Sequence, residues 1–310
     1  MKTTILMRTK KTKKLMKRIN LFYFLTCAII WGITWIAIKF QIPYVNSGAA
    51  VFYRFIFSSL IIFTICLFLK IKLKFDFTKH KRFFAQGFFL FCLNYQLTYW
   101  ATSMATSALV ALAFTSIIFL NMFGARIFFK TPFEKKTVLG AIVSFTGMAF
   151  ITWNEYIHIG LHPMSLWGFL LSFLGTISAS AGNLVSSLNK NDHIPVMANN
   201  AWSMLYGSLL TLIFCLIKNV SFAVQITPEF LISFAYLTLF GTILAFWAYL
   251  KLIENIGPSK AAFTSVASPV IALGVSSVYE NLNWSLWLAL GASFCIIGNI
   301  IALKPKRMTE

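Results

Sequence analysis

The sequence predicts an all-α integral membrane protein in which ten helices cross a bilayer as two inverted sets of five. Three observations lead there: a very apolar composition, a one-sided placement of Lys and Arg, and a short repeat about half a chain apart.

Composition comes first. Of 310 residues 58% are hydrophobic and only 11% are charged, with a mean hydropathy of +0.77. Soluble domains run nearer ~45–50% apolar and ~25% charged. Water cannot solvate so much apolar surface, so a bilayer must. A helix needs ~20 residues to cross ~30 Å of hydrocarbon, and the length accommodates ten such spans with short loops. Apolar runs place them at 20–39, 49–69, 83–102, 106–129, 137–153, 165–188, 197–217, 229–252, 258–279 and 284–303. Residues 1–19 and 304–310 then form basic tails, and 20–153 and 165–303 form the two halves. The first apolar run follows a basic segment, as in a signal peptide, but it continues to about Lys39 with no small-residue cleavage site. It reads as an uncleaved first helix.

Charge placement sets the orientation, because short cytoplasmic loops carry the excess of Lys and Arg. The N-terminal tail has eight (Lys2 to Arg18), and the loop after the second span has six (Lys70, Lys72, Lys74, Lys79, Lys81, Arg82). Arg126, Lys130, Lys135 and Lys136 gather around the fourth loop, Lys190, Lys251 and Lys260 on later even-numbered connections, and Lys304, Lys306 and Arg307 in the tail. The opposite side has Lys218, with Lys39 at a helix end and Arg54 deeper in the second span. Both termini are therefore expected in the cytoplasm, and the span count is even. The net charge of +19 is explained by topology and by anionic headgroups, which removes the case for nucleic acid.

Next, Ala113-Phe114-Thr115-Ser116 recurs 149 residues on as Ala262-Phe263-Thr264-Ser265. These tetrapeptides lie in the fourth and ninth spans, counterparts in a five-plus-five division. Five is odd, so the halves sit upside down relative to each other. Inverted halves of this kind recur in secondary transporters, with the substrate near the midplane between them.

Side chains for such a site can be named. Trp31 and Trp35 are one turn apart, and Trp31 is too deep for an interfacial belt. They either pack or form a stacking wall able to hold a cation. Asn94, Tyr95 and Thr98 present amide, phenol and hydroxyl groups from the third span, either to a cavity or as glue between helices. Thr115, Ser116, Thr264 and Ser265 are repeat-related hydroxyls that either face the cavity or bond back to their own helix. Lys39 and Arg54 are the outer-side charges nearest the membrane interior. Lys39 is expected to snorkel and Arg54 to bond helices together near an outer gate. Pro269 removes a backbone bond inside the ninth span, predicting a kink. Glu280 ends that span. No carboxylate lies mid-membrane, so a carboxylate proton relay has no evident seat. The five cysteines lie in apolar runs without a C-x-x-C pair. No nucleotide, metal or catalytic motif stands out, so neither cofactor nor enzymatic activity is expected.

Taken with Phe52-Tyr53-Arg54-Phe55, Trp31-Gly32 followed by Lys39, Gly241-Thr242 leading to Trp247, Gly257-Pro258-Ser259-Lys260, Ser268-Pro269 and Glu280, the chain resembles the drug/metabolite transporter superfamily, specifically an EamA-type domain occurring twice. The resemblance covers the chain after about residue 20. It departs where Leu120 stands opposite Pro269 and Thr131 opposite Glu280. It implies a secondary carrier for a small organic metabolite, such as an amino acid, a related compound or a hydrophobic cation. Export is favoured by the resemblance alone. Trp247 joins the expected substrate contacts, and Lys39, Arg54, Pro269 and Glu280 the gating or structural set. Expected partners are the substrate and membrane lipids; proton or counter-substrate coupling, and monomer or homodimer, stay open. An importer on the same fold and a lipid-modifying enzyme are the rivals, the latter lacking a His or carboxylate constellation.

Overall fold

The computed structural model describes residues 2–104, 110, 113–159, 163–279 and 284–304. Among them the regular structure is helical, and the only bridge between extended residues is an antiparallel one from Val45 to Val224. We number the helices as follows: α1 Lys2–Gln41 and α2 Ser47–Phe68; α3, made of Phe77–Gln86, a widened π turn Gly87–Leu93, and Asn94–Met104; α4 Ile117–Phe129, α5 Lys135–Ile159, α6 Pro163–Asn191 and α7 Val196–Ile217; α8, made of Pro228–Thr238, a second π turn Leu239–Leu244, and Ala245–Ile256; α9, in two pieces Pro258–Ala261 and Thr264–Tyr279; and α10 Leu286–Leu303.

Local chemistry sets several ends. Asn46, Asp76, Thr227 and Ser285 each accept a hydrogen bond from a first-turn N–H of α2, α3, α8 and α10, satisfying donors that a helix start leaves orphaned. Pro228 occupies the first position of α8, where its missing N–H costs nothing. Helix α8 stops at Gly257, whose φ of 84° is open to glycine at little cost. Two differences from the expected spans stand out. Helix α1 begins at Lys2, well before residue 20. Ninth-span helix is interrupted at Ala262–Phe263 and resumes at Thr264.

Among the described residues seven helices are long and apolar enough to cross a membrane, including Leu15–Thr34, Ser47–Phe68 and Pro228–Ile256, and Ala113–Phe129 is a shorter apolar helix. Large side chains such as Phe57, Leu60, Ile127, Phe128, Ile232 and Ile300 point outward and stay exposed. In water that surface would be prohibitive; facing lipid it costs nothing. The protein is a multi-pass helical membrane protein.

Packing follows a pattern. Helix α1 lies on α8 and α9, and α6 lies on α3 and α4; α2 touches α8, and α7 touches α3. Two further pairs, α2 with α7 and α5 with α10, join the halves directly. The α5–α10 seam is glycine-built. A Cβ added to Gly140 would meet the Gly298 carbonyl at 2.6 Å, and one added to Gly147 would meet the Gly291 carbonyl at 2.6 Å. Small residues let the two backbones approach this closely. Because the earlier glycine of one helix faces the later glycine of the other, the two run antiparallel.

Candidate functional site

The site is built around the widened turn of α8. In an α-helix the Ala245 N–H would bond to the Gly241 carbonyl; here it bonds to Phe240 and Thr242 instead. The Gly241 oxygen accepts instead from Arg54 Nη2 at 3.0 Å and Trp31 Nε1 at 3.3 Å. Arg54 Nε donates to Thr242 Oγ1 at 2.5 Å, and that hydroxyl donates to the Leu237 carbonyl at 2.8 Å. A Cβ on Gly241 would sit 3.2 Å from Arg54 Nη2, so glycine makes room for the guanidinium. Arg54 is only 2% exposed, and among the described residues no carboxylate lies within salt-bridge distance of it. Its charge is held by these hydrogen bonds and by the faces of Tyr95 and Phe55, 5.7 and 5.9 Å from the guanidinium carbon, a cation–π arrangement. One arginine thereby ties α2 to α3 and α8, and Trp31 adds α1.

Beside Arg54 an unbroken chain of aromatic rings packs α1, α2, α3 and α8 into one cluster. Tyr95 meets Phe55 at 4.8 Å between centroids, Phe55 meets Phe91 at 5.2 Å, and Phe91 meets Phe246 at 4.9 Å. Phe246 then meets Trp31 at 5.4 Å, and Trp31 meets Tyr249 at 5.1 Å. All five contacts are tilted or edge-on, the geometry that ring quadrupoles favour. Asn183 of α6 donates to the Tyr249 hydroxyl at 3.0 Å. Nearby in the chain, Asn121 of α4 donates to the Pro258 carbonyl at 3.1 Å. Both asparagines are fully buried.

Beyond Pro258 the bundle opens. A cavity of about 560 Å³ lies between the end of α4, the α4–α5 connection, the ends of α6 and α8, and the α8–α9 turn. That volume is within the range of small-molecule sites. Met122, Phe129, Ile253 and Ile256 form its apolar part, and Thr131, Ser187, Ser259, Lys190 and Lys260 its polar part. Lys260 pairs with Glu134 across it at 2.7 Å. Thr131, Pro132 and Phe133 are exposed at the rim, so the cavity opens at the end of the molecule that carries the basic residues.

The residues singled out from sequence fall in different places. Trp31, Arg54 and Tyr95 come together around Gly241. Asn94 Oδ1 accepts from Thr98 at 3.4 Å, and a Cβ on Gly175 of α6 would lie 3.3 Å from the Thr98 hydroxyl, so this pair faces the α3–α6 contact. Thr264 donates to the Ala261 carbonyl at 2.8 Å, and Ser116 to that of Ala113 at 2.5 Å. These two hydroxyls bond back to their own chain. Thr115 is buried and Ser265 partly so, and Pro269 lies inside α9. Trp247 sets its ring edge-on to Tyr23 at 5.3 Å. The side chains of Trp35 and Lys39, and the whole of Glu280, lie outside the described residues. Tyr249, Asn183, Asn121 and the Glu134–Lys260 pair were given no role from sequence. For the two asparagines the signal was present: an amide inside an apolar run must find a partner. Among the described residues no group of three or more His, Cys, Asp or Glu is suited to hold a metal.

A family model described as the EamA-like transporter family matches residues 18–153 and again residues 166–303. The chain belongs to the EamA-like transporter family. The family domain thus occurs twice, once in each half. The chain is similar to a Bacillus subtilis (strain 168) protein named "Uncharacterized transporter YoaV", at 24% identity over 88% of this chain and 93% of the relative. It is 33% identical over 128 residues to the Escherichia coli (strain K12) "Uncharacterized inner membrane transporter YedA", covering 40% of this chain and 41% of the relative. A solved crystal structure aligns over 91% of this chain and 96% of its own, with a TM-score of 0.75 at 16% identity. That likeness concerns the fold. Family and relatives together make this a membrane transporter.

Proposed function

We propose that the protein is a secondary carrier of the bacterial inner membrane, with ten spans and cytoplasmic termini, that moves a small organic metabolite by alternating access. The observation that carries this reading is the cavity at the basic end. Its walls come from both family matches, and one turn along α8 from its lining residue Ile253 the packed aromatic cluster begins at Tyr249. A path open at one end and blocked at the other is what one state of an alternating carrier requires. The paired contacts support an inverted relation between halves: α1 on α8 and α9 is matched by α6 on α3 and α4, and α5 runs antiparallel to α10. As the path opens on the other side, the substrate meets Trp31, Asn94 and their neighbours. Outward movement is our working direction.

The test uses a reversible cross-link. The native cysteines Cys27, Cys66, Cys92, Cys215 and Cys295 are buried, so a pair made by Glu134→Cys with Lys260→Cys is addressable by itself. In proteoliposomes preloaded with a mixture of labelled metabolites, a bifunctional thiol reagent across this pair arrests exchange, and reduction restores it. Exchange that continues unchanged in the cross-linked protein overturns the alternating-access reading. Flux measured in each direction, with and without a proton gradient, separates export from import.

A further inference from the structure

We propose that the cavity at the basic end accepts a small organic anion, a monocarboxylate with an apolar body. The inference rests on the carrier reading for its biological meaning, but its argument is electrostatic. Three charged groups, Lys190, Lys260 and Glu134, line the cavity, and Glu254 with its partner Lys251 stands beside Lys190. Lys260 and Glu134 neutralise each other at 2.7 Å. Glu254 is taken by Lys251, also at 2.7 Å. Among the described residues Lys190 reaches the backbone carbonyl of Glu254, and no carboxylate lies within 4 Å of it. Three ammonium groups thus face two carboxylates, and the uncompensated one lines the cavity.

The rim reinforces the sign. Arg126 and Lys130 at the end of α4, and Lys135 opening α5, add positive charge around the connection that forms the mouth. A cleft lined by one sign of charge with low-dielectric walls concentrates the opposite ion. A cation would meet the same field as repulsion, with Glu134 already occupied. The remaining lining fits the rest of such a ligand. Ser187 spends its proton on the Asn183 carbonyl at 3.1 Å, while Thr131 and Ser259 bring further hydroxyls. Met122, Phe129, Ile253 and Ile256 offer an apolar surface opposite. Arg126, Lys130 and Lys135 steer from the rim without lining the cavity, so the one ammonium in excess on its wall calls for one negative charge.

The experiment uses the full-length protein in phosphatidylcholine nanodiscs, whose zwitterionic lipid does not itself select by charge. Three isosteric probes are compared by ¹⁹F line broadening: 4-fluorobenzoate, 4-fluorobenzamide and 4-fluorobenzylamine. Benzoate is expected to bind at least about fivefold more tightly than the amide, the factor that one charge pair at 4 Å supplies even in water. The amine is expected not to bind. Lys190→Gln is expected to remove the preference for benzoate, and Lys190→Arg to retain it. Lys190 is exposed at the end of α6, and an unchanged elution profile checks that both variants fold. Equal binding of benzoate and benzamide, or an unchanged preference in Lys190→Gln, overturns the proposal. If cross-link-sensitive exchange occurs without benzoate binding, the anion assignment falls and the carrier stands. If benzoate binds through Lys190 but no exchange is seen, the site stands and the carrier reading falls.

Discussion

Replacing Gly298 by Ala at the α5–α10 seam tests the packing that joins the two halves. An alanine inside a helix is favoured over glycine by roughly 0.5–1 kcal/mol through backbone entropy. At Gly298 that gain meets a wall. The new Cβ would lie 2.6 Å from the Gly140 carbonyl oxygen and 2.7 Å from the Ser144 nitrogen, where ordinary contact begins at 3.4 Å. The Ser144 hydroxyl is nearer still and can rotate away, but these two atoms are backbone and cannot. The helices must part by nearly an ångström, loosening the matching contact between Gly147 and Gly291. Overpacking of this kind costs about 1–3 kcal/mol. Gly274 in α9 supplies the control, because a Cβ there meets nothing within 4 Å and the entropic gain stands alone. Gly298→Ala should therefore melt several degrees below Gly274→Ala, at about 2–4 °C per kcal/mol for a chain of this size class. Thermal unfolding of the purified proteins in one detergent, read by fluorescence-detected size exclusion, gives the comparison. A Gly298→Ala protein as stable as Gly274→Ala would refute the close backbone approach.

Two further outcomes are expected. Tyr249→Phe removes the acceptor of the fully buried Asn183 amide and should cost about 1–3 kcal/mol, read as a lower melting temperature, while Phe at the more exposed Tyr53 costs less. Asp192, after the end of α6, is held below the usual carboxylate range first by the hydrogen bond from Lys79 and then by that from Arg82. A depressed carboxyl contributes stability above its unfolded value, about 4, and loses it as the pH falls through the folded value. Acidification below that range should thus lower the melting temperature of the native chain more than that of Asp192→Asn, and equal sensitivity would show that the tie contributes nothing.

Sequence reading reached the membrane class because hydropathy sums over twenty residues and tolerates local error. It reached the family because Arg54, Gly241-Thr242 and Gly257-Pro258 stand in order along the chain. It assigned Arg54 a bonding role and could not see the partner, since Gly241 lies 187 residues away and is exposed to it only by the widened turn. No periodicity announces such a turn: Leu239–Leu244 and Gly87–Leu93 are apolar runs like any other. The repeat drew attention to Thr264 and Ser116, yet hydroxyls in apolar helices have a nearer choice, and both take the carbonyl three residues back. Lys260 reads as a charge on a connection, and its pairing with Glu134 is out of reach because a pair 126 positions apart is made by the meeting of two connections, which only the fold creates.

The Gly241 carbonyl, shared by Arg54 and Trp31, has a consequence for exchange with solvent. A carbonyl oxygen offers two lone pairs, and here two side-chain donors from different helices occupy it. Water or a substrate hydroxyl reaching this point must evict one of them, one for one. The oxygen therefore acts as a stoichiometric counter: its occupancy by protein donors or by a guest differs between a sealed path and an open one. An isotope-edited infrared band of this single amide would report which, without reference to the identity of the cargo.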